Sequence, residues 1–260
     1  MNPTINLAES GARGRVTGAI QLAASRTGVD FSYLLGQARI ESGLNPNARA
    51  RTSSATGLFQ FIDQTWLATV DRHGAQHGLS WAANAIQRGA NGRYYVADPQ
   101  LRRQILDLRR QPEAASAMAA EFAADNRDYL ERRLGRPAEP ADLYLAHFLG
   151  PAGAARFLAA HDANPNGAAA GLLPAAARAN RNIFYGRDGA PRSFAAIRER
   201  FASRLDGAGG SSAPQRTPGP SREFAPIRFA DYRADPSQPI AGPSPEHARL
   251  AYLMLAQLGG

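Results

Sequence analysis

Residues 37–66 read QARIESGLNPNARARTSSATGLFQFIDQTW. Just upstream, Phe31, Leu34, Leu35 and Ala38 recur at helical spacing behind Asp30, whose short carboxylate suits an N-cap. Gly43 and Pro46 stop the run, so the pattern predicts a helix over 31–42 with Leu44 turned inward after it. Glu41 then falls in the last turn, beside Ser42. The chain continues through Asn45-Pro46 and the small-residue run Thr52–Thr56 into Gly57-Leu58-Phe59-Gln60-Phe61, with Trp66 at the start of the next helix. This arrangement predicts one carboxylate at a helix end next to a groove, floored by Gly57 and flanked by Leu58, Phe59 and Phe61.

Working outward, the same periodicity predicts helices near 15–27, 63–72, 74–89, 99–110, 112–134, 140–149, 151–160, 174–184 and 193–205. Strand signals are weak, with one short hairpin conceivable around Arg93–Val96. The expected fold class is therefore all-α. Residues 1–14 are polar and glycine-containing and read as a flexible arm; 15–205 read as one helical domain. Residues 206–222 (DGAGGSSAPQRTPGPSR) read as a Gly/Ser/Pro linker with almost nothing to bury. The tail 223–260 is irregular and Pro-rich, except for a short amphipathic helix over 244–258. Ser244 caps that helix, and Leu250, Leu253, Met254 and Leu258 share one face, which suits packing onto the main domain or docking a protein partner.

Composition bounds the chemistry. The chain has 260 residues and no cysteine, which excludes a disulfide framework, a zinc ribbon and a thiol nucleophile. Five histidines, at 73, 77, 147, 161 and 247, make a thin basis for a metal site, and neither metal nor cofactor is expected. No run approaches the ~18 apolar residues of a membrane-spanning helix, so no membrane insertion is expected. All 30 basic residues are arginine, and the net charge of +8 favours anionic partners: nucleic acid, anionic lipid or a carboxylated cell-wall polymer. Nucleic acid is not expected, because the Arg pairs 102/103, 109/110 and 132/133 sit beside acids in helical segments without interleaved aromatics. Residues 1–30 lack the basic start and compact apolar core of a secretory signal.

A glutamate surrounded by aliphatic and aromatic side chains loses hydration, and its pKa rises toward the range a general acid needs near neutral pH. A neighbouring glutamine amide suits the N-acetyl group or hydroxyls of an amino sugar. A second carboxylate is not evident. Asp63 reads as an N-cap. Asp30 lies at the far end of the Glu41 helix, roughly 15–18 Å away at ~1.5 Å per residue. Asp71 belongs to another helix with no flanking motif.

Taken together, Glu41-Ser42, Asn45-Pro46, Gly57-Leu58-Phe59-Gln60 and Thr65-Trp66 resemble the motif pair of the soluble lytic transglycosylases, the goose-type-lysozyme-like class. That family carries Gly-Leu-Met-Gln where this chain has Phe59 in place of Met, and the intervening loop is about one residue longer. Its third motif, Ala-Tyr-Asn-x-Gly, is best matched by Ala146-His147-Phe148-Leu149-Gly150, with His147 for Tyr and Phe148 for Asn. A late-helix motif near the catalytic acid is matched by Asn182 or Tyr185 in ARANRNIFY. The resemblance covers roughly residues 15–200. It implies a lysozyme-like helical domain, a peptidoglycan glycan strand as substrate, and action in the periplasm or cell wall. It also implies Glu41 as the catalytic residue, with Ser42, Phe59, Gln60, Phe61, His147, Asn182 and Tyr185 as substrate contacts.

The same resemblance implies a mechanism that needs one carboxylate. Glu41 protonates the glycosidic oxygen, the acetamido group of N-acetylmuramic acid stabilises the oxocarbenium-like centre, and Glu41 then takes the C6 hydroxyl proton as a 1,6-anhydro ring closes. Two other readings remain open from the sequence: a hydrolytic muramidase, and a non-catalytic adaptor that grips glycan. The tail and the missing leader pattern fit a specialised wall-opening enzyme of a flagellar or secretion machine, or of a phage.

Overall fold

Asp30 and Gly43 bracket the helix that carries Glu41, as the sequence predicts. In the computed structural model, which describes residues 3–209 apart from 52 and side chains from 11 to 208, the Asp30 carboxylate accepts the Tyr33 amide at 2.7 Å. Gly43 adopts φ 60° and donates to the Arg39 carbonyl at 3.0 Å, while the Leu44 amide donates to Ala38 at 3.3 Å. The helix between them, Phe31–Ser42, buries Tyr33 to Ala38, Ile40 and Glu41. A helix buried on nearly every face is a core helix.

The described residues divide into two compact units, one up to Ala124 and one from Asp125, the division falling within a long helix. In the first unit the order is α1 (Pro3–Thr27), α2 (Phe31–Ser42), α3 (Asp63–His73), a 3-10 turn Gly74–His77, α4 (Ser80–Ala83), a two-stranded antiparallel ribbon β1 (Gln87–Arg88) and β2 (Tyr94–Tyr95), α5 (Pro99–Asp107), a 3-10 turn Leu108–Arg110 and the first half of α6 (Pro112–Leu134). Its core gathers Ile20, Leu34, Trp66, Leu67, Ile105 and Met118, all fully buried. The indole of Trp66 donates to the Ile105 carbonyl at 2.7 Å, which fixes α3 against α5.

The second unit holds the rest of α6, then α7 (Pro140–Leu149), α8 (Pro151–Ala163), α9 (Ala169–Leu172), α10 (Pro174–Ala179), α11 (Arg181–Phe184) and α12 (Phe194–Gly209). Tyr144 and Phe148 of α7 meet Phe201 of α12 with ring centroids 5.3 and 5.1 Å apart, and Phe157 of α8 meets Phe194 at 5.1 Å. Beneath them Asp142, with no exposed surface, accepts Arg136 at 2.7 Å and Arg198 at 2.9 Å. It also closes a capping box with Glu139 at the start of α7. Removing one member of a buried charge pair costs about 3–5 kcal/mol, less where the partners keep contact with water, as these two arginines do. Asp142→Ala is therefore expected to lower stability by roughly 2–3 kcal/mol and the calorimetric midpoint by about 5–10 °C.

The all-α expectation holds, with one two-stranded ribbon among the described residues, at the edge of the place expected for a hairpin. Three local expectations change. The arm 1–14 is helical backbone from Pro3, where Leu7, Ala8, Glu9, Ala12 and Arg13 favour helix against Gly11 and Gly14; residues 11–14 are exposed. The helix expected over 74–89 breaks where Gly78 turns left-handed at φ 75°, leaving two short turns and β1. The helix expected over 174–184 breaks at Asn180, whose backbone amide closes the last bond to the Ala176 carbonyl at 2.9 Å before its backbone leaves helical geometry at φ −128°, ψ 52°. The described part of residues 15–205, expected as one domain, gathers into two compact units, with the division after Ala124 inside the unbroken helix α6. Helix α12 runs to Gly209. The remainder of the expected linker 206–222, and the tail 223–260 with its helix 244–258, lie outside the described residues.

Candidate active site

Helix α2 delivers Glu41 to the interior with only 2% of its surface exposed. Burial pushes its carboxyl well above the usual carboxylate range, and a hydrogen bond with the Gln37 side chain, one turn earlier, pulls back part of that rise. The proton therefore stays on Glu41 to higher pH than on an exposed glutamate. Ser42 is half-buried and its hydroxyl donates to the Ala38 carbonyl at 3.0 Å, so it back-bonds its own helix while its lone pairs remain.

Past Gly43 the chain folds into a compact loop rather than an open lip. The Gly57 amide donates to Ala48 at 2.8 Å, Ala50 to Ala55 at 3.0 Å, and Thr56 to Phe61 at 3.2 Å. A tight turn follows, with the Gln60 amide donating to Gly57 at 3.3 Å and Gln60 itself at φ 45°. The Gln60 side-chain amide donates inward, to Gly57 at 2.8 Å and Ala48 at 3.2 Å, and the residue is 1% exposed. The amide nitrogen is thus taken up in holding the loop, and the side-chain oxygen is the Gln60 atom without a hydrogen bond.

The expected lining also moves inward. Leu58, Phe59 and Phe61 are all buried, and Phe61 packs edge-on against Trp66 and Phe122 at 5.3 and 6.2 Å between centroids. Phe61 is therefore core packing rather than an open groove wall. Gly57, expected as a groove floor, is pressed against another backbone: a Cβ there would lie 1.9 Å from the Arg109 carbonyl oxygen.

Arg109 is the residue that sequence reading missed. It is 6% exposed and gathers the loop from below. Its guanidinium donates to Leu106 at 2.8 Å, Ser54 at 2.9 Å, Phe61 at 2.8 Å and the Asp63 carboxylate at 2.9 Å. Burial pulls its pKa down from the usual guanidinium range, and Asp63 opposes that shift. Asp63 is accordingly not the N-cap expected of it. Ile62 occupies that position, and Asp63 opens α3 with its carboxylate on Arg109 and, at 2.6 Å, on Arg102. With Asp30 spent on its cap and Asp63 on two arginines, neither neighbouring acid in the sequence is free to act as a second carboxylate.

The other expected contacts belong to the second unit. His147, in the last turn of α7, is 2% exposed and stacks on Tyr144 at 6.2 Å. Asn182 sits half-buried in α11. Tyr185 is not on a helix but extended just after it, half-buried, with the Arg181 guanidinium 4.7 Å above its ring and its carbonyl accepting Arg192.

Residues 18–92 match the family model described as the Transglycosylase SLT domain. The match spans the C-terminal part of α1 from residue 18, all of α2, the Glu41–Phe61 segment, α3, α4 and β1, and stops before β2. His147, Asn182 and Tyr185 fall outside it. Among the described residues no helix is long and apolar enough to cross a membrane. The segment that carries the buried acid at the end of α2 and the motif loop following it is thus similar, over residues 18–92, to the Transglycosylase SLT domain.

Proposed function

We propose that this protein cleaves the β-1,4 bond between N-acetylmuramic acid and N-acetylglucosamine without water, leaving 1,6-anhydro ends, with Glu41 as the single acid and base. The observation that carries this reading is the environment of Glu41, a carboxyl 2% exposed whose pKa burial raises well above the usual carboxylate range. Glu41 gives its proton to the glycosidic oxygen as the C1–O bond breaks. The acetamido carbonyl of the sugar stabilises the positive C1. The Glu41 carboxylate then accepts the C6 hydroxyl proton as O6 bonds to C1, which restores the acid. An internal hydroxyl held at the reacting carbon outcompetes water through its effective concentration. The commitments of Asp30 and Asp63 elsewhere support a mechanism in which the substrate, not a second carboxylate, supplies the nucleophile.

Digestion of purified peptidoglycan followed by mass analysis tests the reading. Anhydro ends, one water lighter than reducing ends, are expected; reducing ends alone mean a hydrolytic muramidase, and no cleavage means a glycan-gripping adaptor. Because the first step needs protonated Glu41, kcat is expected to hold above the ordinary glutamate pKa and to fall only as pH passes the raised value, which a pH–rate profile on soluble wall fragments reads directly. The site of action under this proposal is the cell-wall space, in a wall-opening role within a flagellar, secretion or phage machine. Residues 244–258 would dock the enzyme there, and a pull-down with the full chain against its 244–260 deletion tests that contact.

A further inference from the structure

A cavity of about 410 Å³ opens in the first unit behind the Ser54–Asp63 segment, between the loop that follows α2 and helix α5. Its lining is unusual in charge. Five arginines stand against two aspartates, leaving three positive charges without local compensation. The aspartates are already committed: Asp63 to Arg102 and Arg109, and Asp107 to Arg110 at 3.0 Å. Arg49, from the loop, and Arg103, from α5, line the same cavity with no acidic partner among the described residues. Bringing guanidinium groups together without counter-charges is unfavourable, and a bound anion relieves it.

The frame around this charge is fixed rather than loose. Arg109, almost wholly buried, ties Ser54, Phe61 and Asp63 to the end of α5, so Thr56 and Ser54 are held on one wall and α5 on the other. We infer that this cavity is a binding site for a carboxylate-bearing group of the wall polymer, a stem-peptide carboxylate gripped by Arg49 and Arg103. Guanidinium forks match carboxylates two bonds at a time, which gives both strength and orientation.

Three features of the lining favour a discrete carboxylate over other anions. No aromatic side chain lines it, so there is no surface on which a nucleobase stacks. A concave space of this size takes a side group of a polymer, whereas a membrane presents a flat sheet of headgroups. Asp63 and Asp107 in the wall oppose a densely charged polyphosphate while leaving room for one or two negative charges. The inference rests on the proposed peptidoglycan function and adds a reason for the enzyme to prefer strands that still carry peptides. The loop supplying Ser54 and Thr56 is continuous with the segment that leaves α2 just after Glu41.

The test uses the full-length protein and its Arg49→Gln/Arg103→Gln double variant; both arginines are exposed and hold no other element in place, so the fold is expected to survive. Calorimetric titration with free soluble stem peptide is expected to show binding to the wild type. That binding weakens about tenfold in the double variant, equivalent to ~1.4 kcal/mol, and equally for wild type with a peptide whose carboxylates are amidated. In turnover, KM for peptide-bearing wall is expected to rise about tenfold with kcat unchanged, while cleavage of peptide-free glycan is the same for both proteins. Equal peptide binding by the two proteins, or loss of inorganic phosphate or RNA binding with peptide binding intact, overturns the inference. If the wild type cuts no glycan at all, the proposed function fails; the titration still reads the cavity on its own.

Discussion

Glu41→Gln is expected to abolish wall cleavage and, at neutral pH, to make the protein more stable. Glutamine is isosteric with glutamate and keeps an amide that Gln37 can still bond, so the turn of α2 and its packing are undisturbed. It has no proton to give and no lone pair basic enough to take one back. General acid–base groups contribute roughly 10²–10⁴-fold each, and Glu41 serves in both steps, so kcat is expected to drop by about 10³-fold or more. The stability change follows from proton linkage. Burial raises the folded-state pKa of Glu41 above its unfolded value. Below the unfolded pKa both states are protonated and the residue is neutral in its effect. As pH rises through that value the unfolded chain ionises first, so wild-type stability falls until pH passes the folded pKa. The neutral variant escapes this loss. Thermal midpoints of the two proteins are expected to coincide near pH 4 and to separate toward pH 7 with the variant higher. An inactive variant that is less stable at pH 7 would mean the loss came from damaged packing. Full activity in the variant would remove Glu41 from the mechanism.

The position of Glu41 was legible in the sequence while its surroundings were not, because local signals set the ends of its helix. Helix α2 announced its ends by local chemistry, Asp30 at the start and Gly43 at the stop, so the position of Glu41 in the last turn followed directly. Helices α6 and α7 were equally legible, because Pro112, Pro140 and Gly150 mark boundaries within a few residues of the elements they end. What local chemistry does not carry is which side chains the tertiary fold draws inward. Arg109 looked like half of a solvated Arg pair beside Asp107, yet it is the buried clamp under the motif loop, and its partners lie 46 to 55 residues away. Asp63 looked like a cap because capping is the commonest use of an aspartate before a helix; two distant arginines claimed it instead. Gln64 likewise holds the backbone of Tyr94 through both amide atoms, at 2.8 and 2.9 Å, and so anchors the β ribbon that the helical pattern of 74–89 concealed. Gln60 illustrates the same limit within the motif itself. Its residue type suits a sugar, but its amide nitrogen is spent on the loop and only its oxygen is left without a partner.

Gly57→Ala is expected to be the most damaging single-methyl change in the first unit, and the reason is separable from glycine's usual freedom. Two terms act at this position. Gly57 has φ 85°, where an L side chain is strained by about 1–2 kcal/mol. In addition, the new methyl would sit 1.9 Å from the Arg109 carbonyl oxygen, far inside contact distance, and that neighbour is backbone with no rotamer to yield. Gly43 carries the first term alone, with φ 60° and open space around its Cβ. Gly43→Ala is thus the internal control, expected to cost ~1 kcal/mol, whereas Gly57→Ala is expected to cost ~4 kcal/mol or more, in the range reserved for overpacking and strain combined. Relief requires the 3-10 turn Leu108–Arg110 to move away from the loop. That motion stretches the three bonds by which the Arg109 guanidinium holds Ser54, Phe61 and Asp63. The denaturant midpoint should fall far more for Gly57→Ala than for Gly43→Ala, and any folded fraction should lose wall-cutting activity along with the loop's position. Equal costs at the two glycines would mean that the loop and the turn beneath it are not in contact, and the account of how this segment is braced beside the Glu41 helix would fail with it.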